Sequence, residues 1–425
     1  MMNIHTPMNE FLIVGQVLSK IIDEHLAFSD ALKSIMQTLP KGPSQGLVRS
    51  ITSCELHHHR LLDHVVNRFV PMLVPQDRYI IQAAIGNNVF VKRVPYETTI
   101  AFLESFLTEK QIDASIKASL IALAAPGKNL IDPNIKENSV AYLSIKYNTP
   151  EWLVLMWIKH FGFAITLKIL STNNKAVLQA CRVNTLKTST ESLVAKYPEF
   201  IASPVEDTVI YQAKEPLKNN PAYIENLIFQ QRLAVTDVFK QFSFDNVKGE
   251  MLLVETRPQA LYLELPIYTE QKIRINVVTN SVERKLAMQK SLQAFQLNQV
   301  VLYESEPKGL ITHLSKKQDV VMVVPQCSKF DLIRSLPDFF IHFKQEELDG
   351  LIASQQLALE ESSQFVEEGG LLFYGVNTLN HKEGKLLIED FLKTHPQFKM
   401  IQEFQYFPFD KFNTALYVAA MRKSK

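Results

Sequence analysis

The sequence predicts a multidomain chain: helical at its N-terminus, α/β at its C-terminus, with a small α+β insert between. Three observations predict this. Apolar residues recur at helical spacing through about residue 138, and short, nearly continuous apolar runs alternate with helical segments after 221. Between them lies one strand-like run flanked by two helices. At 425 residues the chain exceeds a single core and suits two or three domains, which we place at 1–138, 139–220 and 221–425.

In the first segment, Phe11, Leu12, Ile13 and Val14 with Val17, Leu18, Ile21 and Ile22 form one helical stripe, and Leu61 to Val70 form another. Further helices are expected at 77–91, 96–107 and 110–124, with Pro40, Gly42, Pro43, Pro71, Pro75 and Pro126-Gly127 as punctuation. The middle segment opens on an amphipathic helix at Glu151–Ile169. A strand follows at Ala180–Leu186, then a helix at 189–196 and the polar stretch Asp207–Asn220. In the last segment, strands are expected at Met251–Val254, Ile273–Val278, Gln299–Leu302, Val320–Val324, Leu371–Tyr374 and Ala415–Ala419, with helices at 281–295 and 345–366. Runs this apolar belong to a largely parallel sheet buried on both faces.

Composition excludes several classes. The chain is 46% hydrophobic and 21% charged, the profile of a folded soluble protein. No apolar run approaches the ~20 residues of a membrane span, and the start lacks a signal-peptide pattern. Cys54, Cys181 and Cys327 are too scattered for a disulfide framework or a zinc pattern, a usage that fits a reducing cytoplasm. The net charge of +1 advertises no nucleic-acid partner for the chain as a whole, so any RNA surface is local. His57-His58-His59 does not read as a metal site, because consecutive helical residues point ~100° apart. Trp152 and Trp157, at helical spacing, read as core.

Three patches point further. The first is Asn87-Asn88-Val89-Phe90-Val91-Lys92-Arg93-Val94-Pro95. The second pairs Thr149-Pro150-Glu151-Trp152-Leu153 with Arg182-Val183-Asn184-Thr185-Leu186-Lys187. The third is the series Val324-Pro325-Gln326-Cys327-Ser328, Leu336-Pro337-Asp338 and Glu368-Gly369-Gly370. Together they resemble the bacterial 16S rRNA cytosine-C5 methyltransferases of the Sun/Fmu type, which carry an N-terminal NusB-like domain. The resemblance implies a NusB-like helical bundle, an RNA-binding α+β insert and a C-terminal Rossmann-like methyltransferase domain.

In that family a cysteine thiolate adds to C6 of cytosine and makes C5 nucleophilic toward the methyl of S-adenosylmethionine. A second cysteine, in an Asp-Ala-Pro-Cys-Ser element, helps release the product. The donor sits on a glycine turn after the first strand, and an acid at the end of the second strand holds its ribose. This sequence departs from the pattern four times. The glycine turn aligns with Leu253–Tyr262, where Pro258 is kept and Gln259 and Ala260 replace the glycines. The ribose-binding acid aligns with Asn280, the base-holding Asp with Val324, and the attacking cysteine with Val376.

Cys327 is the one family cysteine retained, at the helper position; otherwise it is a packed thiol. On the RNA side, Arg182, Asn184 and Lys187 are expected to alternate on one solvated strand face able to contact phosphates and sugars. Lys92 and Arg93 are expected at a helix C-terminus, facing phosphate or the helix dipole, and His57, which aligns with a family arginine, is a further candidate for RNA contact. The expected function is RNA binding, with ribosomal RNA as partner, by a catalytically impaired monomeric family member with no metal or membrane and no cofactor unless the family activity survives, in which case S-adenosylmethionine. Two alternatives stay open. One is an active S-adenosylmethionine-dependent rRNA methyltransferase. The other is a scaffold whose NusB-like helices bind a ribosome-assembly or transcription factor.

Overall fold

The computed structural model describes residues 8–38, 44–242, 244, 247, 249–256, 259–305, 314 and 317–425. The helical half begins with α1 (Met8–Ile22), α2 (Phe28–Thr38), α3 (Gln45–His57), α4 (His59–Phe69) and α5 (Pro75–Gly86), which runs on into a π-helical turn at Asn87–Val91. Then come α6 (Tyr96–Glu109), α7 (Ala114–Leu123), α8 (Val140–Lys146) and α9 (Glu151–Leu170). The expected helix at 77–91 is therefore α5 plus the π turn.

The middle of the chain forms β1 (Gln179–Val183), α10 (Thr190–Lys196), β2 (Phe200–Ala202), β3 (Thr208–Tyr211), α11 (Pro221–Ile224) and β4 (Ile228–Gln230). The rest alternates: α12 (Leu233–Lys240), β5 (Met251–Glu255), α13 (Leu261–Tyr268), β6 (Ile275–Thr279), α14 (Val282–Phe295), β7 (Val300–Glu304) and β8 (Gln318–Val324). It closes with α15 (Phe339–His342), α16 (Glu347–Ser363), β9 (Val366–Val376), α17 (Lys385–Thr394), β10 (Phe398–Tyr406) and β11 (Leu416–Lys423).

The chain divides into two compact units rather than the three expected segments: Met1–Lys175 with Leu332–Lys344, and Ala176–Asp331 with Gln345–Lys425. Helices α8 and α9, assigned to the insert from sequence, thus pack with the N-terminal helices, and the β1–β4 sheet packs with the α/β part.

In the helical unit, Phe11, Val14, Leu18 and Ile21 of α1 meet Leu62, Val65 and Val66 of α4 and the buried Ile80–Ile85 stretch of α5. Gly15 lets α1 approach α5 closely, since a Cβ there would lie 2.4 Å from Ile80 Cγ1. The segment returning from the C-terminal half is stitched in: the Phe28 N–H donates to Asp338 Oδ2 at 2.9 Å, and Trp152 stacks on Phe343.

Helix α9 corrects one expectation. Among the described residues it is the one helix long and apolar enough to cross a membrane by length and composition, with a third of it buried. Lys159 and His160 interrupt the apolar run in sequence, which hid its length. The helix breaks at Gly162, whose φ of 78° and ψ of 165° are non-helical, and it buries Leu153, Val154, Trp157, Ile169 and Leu170.

In the second unit, the smaller sheet has the order β2-β3-β1-β4, all antiparallel, with Cys181, Val183, Phe200, Val209 and Ile228 in its core. The larger sheet runs β10-β11-β9-β8-β5-β6-β7. Its pairs are parallel from β9 through β7, while β11 and β10 add an antiparallel edge. Leu253, Val277 and Met322 point to one core, and Leu252, Val278 and Val321 to the other, so the sheet is covered on both faces as expected. The strand order reverses between β5 and β8. On a doubly wound sheet, the carboxyl ends of such a strand pair open a crevice.

Candidate functional site

The crevice is built from the ends of β5, β8 and β9. Strand β5 ends on Glu255, which is fully buried. Its Oε1 accepts from the Gln259 N–H at 2.6 Å and from Arg284 Nη2 at 2.9 Å. Arg284 is fixed by the first turn of α14, where Ser281 caps the helix and accepts from the Arg284 N–H. Burial outweighs these two donors and pushes the Glu255 carboxyl up to about 7.

Arg257 and the retained Pro258 lie outside the described residues. Beyond them the buried Gln259 donates its side-chain amide to Asn377 Oδ1, while its own carbonyl accepts from Gln231 Nε2 at 3.0 Å. Asn377 follows β9, and β8 lies between β5 and β9, so the Gln259 side chain spans the end of β8. Ala260 takes a left-handed backbone, φ 56° and ψ 20°, as it starts α13. That is a conformation in which a glycine would carry no Cβ penalty. Beneath Gln259 is a cavity of about 50 Å³ lined by Val235, Met322, Val324, Phe373 and Leu416. Asn280 is exposed just past β6.

At the end of β8, Val324 and Cys327 are buried, and the Cys327 thiol points at the Asn377 carbonyl at 3.7 Å. Val376, at the attacking-cysteine position, is fully buried in the sheet core. The residue that sequence reasoning missed is Glu383. This buried carboxylate accepts from the Ser328 N–H (2.7 Å), Gln355 Nε2 (3.0 Å), Thr378 Oγ1 (2.7 Å) and Asn380 Nδ2 (3.2 Å). It ties the loop after β8 to the loop after β9. No motif flags it, because its partners are scattered from 328 to 380.

The expected RNA face of β1 needs correction. Arg182 is buried, with Nε on Glu264 Oε1 at 2.9 Å and Nη1 on the carbonyls of Val183 and Asp207. Asn184 is also buried, donating to the Asn226 carbonyl at 3.1 Å. The physical reason is what covers β1: besides being paired on both edges, it has a second face packed by α12, whose Leu233 lies against Ala180, and by α13, whose Glu264 meets Arg182. Only Lys187 of the three is exposed. Lys92 and Arg93 are exposed where the π turn ends, as expected of a helix C-terminus. The three histidines diverge: His57 Nδ1 lies against the Ser53 carbonyl, His58 stacks on Phe90, and His59 Nδ1 meets Glu55 Oε1 at 2.6 Å. Trp157 is in the core.

Comparison with known proteins places this geometry. A family profile described as "Methyltr_RsmF/B-like, ferredoxin-like domain" matches residues 149–199. The chain is 21% identical over 393 residues to the "Probable ribosomal RNA small subunit methyltransferase B" of Bacillus subtilis (strain 168), covering 89% of this chain and 87% of that protein. At this low identity the chain resembles the ribosomal RNA small subunit methyltransferase B proteins along most of its length, as a divergent relative would. A second relative, the "Ribosomal RNA small subunit methyltransferase B" of Thermus thermophilus, is 32% identical over 101 residues, which is 21% of this chain and 25% of that one.

Solved structures give the same fold. The crystal structure of PH0851 superposes with a TM-score of 0.72 at 17% identity, covering 97% of this chain and 99% of that one. NSun6 from Pyrococcus horikoshii, solved with SFG, an S-adenosylmethionine analogue, gives 0.58 at 14% identity over 65% of this chain and 98% of that one. The α/β unit is accordingly Rossmann-like.

Proposed function

We propose that the protein is an RNA-binding member of the rRNA cytosine-C5 methyltransferase family in which methyl transfer has lapsed. The observation that carries this reading is the Gln259–Asn377 hydrogen bond, which lays a buried side chain across the crevice at the β5/β8 reversal. A nucleotide-type ligand on such a sheet needs that crevice open and a backbone bare enough to approach.

The residues present do not fit S-adenosylmethionine. Gln259 fills the span, Ala260 brings a Cβ where the family has glycine, and the Glu255 carboxylate is engaged by Arg284. Asn280 brings no charge to a ribose. The nucleophile is missing as well, because a valine cannot supply the thiolate that adds to cytosine. Cys327 remains, buried and aimed at a backbone carbonyl.

The RNA half of the reading rests on the relatives, both named as ribosomal RNA methyltransferases, and on the exposed cations Lys92, Arg93 and Lys187. The helical unit is read as NusB-like. The test pairs two measurements on small-subunit rRNA: transfer of a radiolabelled methyl group, and filter retention at graded salt. Salt-sensitive retention without label is the expected result. Incorporated label would overturn the lapse of catalysis, and failure of retention would overturn the RNA reading.

A further inference from the structure

The helical unit carries a surface that the crevice does not account for. Where the π turn ends, Phe90 lies flat on His58, with ring centroids 3.7 Å apart and planes 2° from parallel, and 37% of Phe90 is exposed. Burial, with His57 adjacent, holds the His58 imidazole down at about 4, so the stacked pair is uncharged near neutral pH. The next two residues are the exposed cations Lys92 and Arg93.

Their turn is held in place rather than left to fluctuate. Asn87 Oδ1 accepts from the N–H groups of Arg93 (3.3 Å) and Val94 (3.1 Å), and Asn87 Nδ2 donates to the Val94 carbonyl at 3.0 Å. Lys92 takes the left-handed backbone at φ 55°, with its N–H on the Asn87 carbonyl. The Arg93 guanidinium reaches the Gly46 carbonyl at 3.5 Å, at the start of α3, and Arg49 is exposed one turn along that helix. None of Lys92, Arg93 and Arg49 has a carboxylate partner among the described residues. In sequence the acid nearest to Lys92 and Arg93 is Glu97, on the first turn of α6, and the acid nearest to Arg49 is Glu55.

From this juxtaposition of an open, rigidly backed aromatic ring and uncompensated cations, we infer that the surface binds single-stranded RNA. An unpaired base stacks on Phe90, and Lys92 and Arg93 take the adjoining phosphates. Stacking needs an exposed π-face with a fixed plane, and His58 fixes it. Phosphates need cations not already neutralised within the protein. The inference rests on the RNA-binding reading above and adds the site and the strandedness.

The experiment uses the full chain and a single-stranded oligoribonucleotide carrying 2-aminopurine, compared with its duplex. Wild type should bind the single strand with a change in fluorophore emission. F90L, which keeps an apolar side chain but no ring, should weaken binding on the order of tenfold at unchanged salt dependence. K92E/R93E should weaken it for every sequence and flatten the slope of log K against log salt by about two. If F90L also lowers the melting temperature, K92E/R93E carries the test, because both side chains are exposed. Wild-type-like binding by these variants would overturn the platform and leave RNA binding standing, as would equal affinity for the duplex. No binding of any RNA by wild type would remove the underlying reading itself.

Discussion

The side chains of Gln259 and Asn377, 118 residues apart, are hydrogen-bonded across the carboxyl end of β8. Gln259 stands where the resemblance places a donor-cradling glycine, and Asn377 directly follows Val376, where the resemblance places the attacking cysteine. The departures at Gln259 and Val376 are thus brought side by side by one hydrogen bond.

Titration calorimetry with S-adenosylmethionine should give a dissociation constant of millimolar or weaker. Micromolar affinity, about 4 kcal/mol tighter, would show that the crevice opens and that Gln259 is a gate rather than a plug.

Covalent chemistry should be absent too. C327A should trap no adduct with cytosine-containing RNA on denaturing gels, and wild type none with 5-fluorocytosine RNA, because Val376 cannot attack. The cost of C327A should be a small cavity's worth of stability, on the order of 1–2 kcal/mol by denaturant melt. An adduct that requires Cys327 and S-adenosylmethionine would reassign that thiol as a nucleophile.

Arg182 should matter for folding rather than for RNA. R182A leaves the fully buried Glu264 without its guanidinium, and breaking a pair of this kind costs about 3–5 kcal/mol. K187E, at an exposed site, should leave the melt almost unchanged. Equal and small effects of the two would mean that Arg182 is not buried in solution.

Glu255 predicts the sign of a pH dependence. Its carboxyl ionises near 7 in the folded state against 4.5 as the reference value. Between those values the folded state binds more protons than the unfolded one, so stability falls as pH rises. Relative to E255Q, wild type should lose stability between about pH 5 and pH 8, on the order of 2–3 kcal/mol. Subtracting E255Q removes the contributions of His58 and His59. A difference that stays flat would place the carboxyl in water.

Much of the fold was legible because burial on two faces leaves a plain mark. Met251–Val254 and Val320–Val324 are so apolar that a covered parallel strand is their simplest reading. Strand β10 left no such mark: it is the edge strand, its middle residues Lys399–Glu403 are exposed, and its pattern does not alternate. Helix α13 was hidden by Pro266 within it. The four departures at the crevice were readable one at a time, but not the Gln259–Asn377 bond, nor the Glu383 hub, which only topology assembles. Arg182 shows the opposite failure. Its charge suggested a solvated face, and the partner that buries it lies 82 residues away.

The stitching of Leu332–Lys344 into the helical unit also dictates an order of events during synthesis. The N-terminal helices leave the ribosome first, yet Phe28 and Trp152 must wait for Asp338 and Phe343. At the ~5–20 residues per second of translation, that wait lasts on the order of ten seconds to a minute. Until then the nascent helical unit stays incomplete, with the Phe343 side of Trp152 uncovered. A chain truncated at residue 331 should keep that defect permanently.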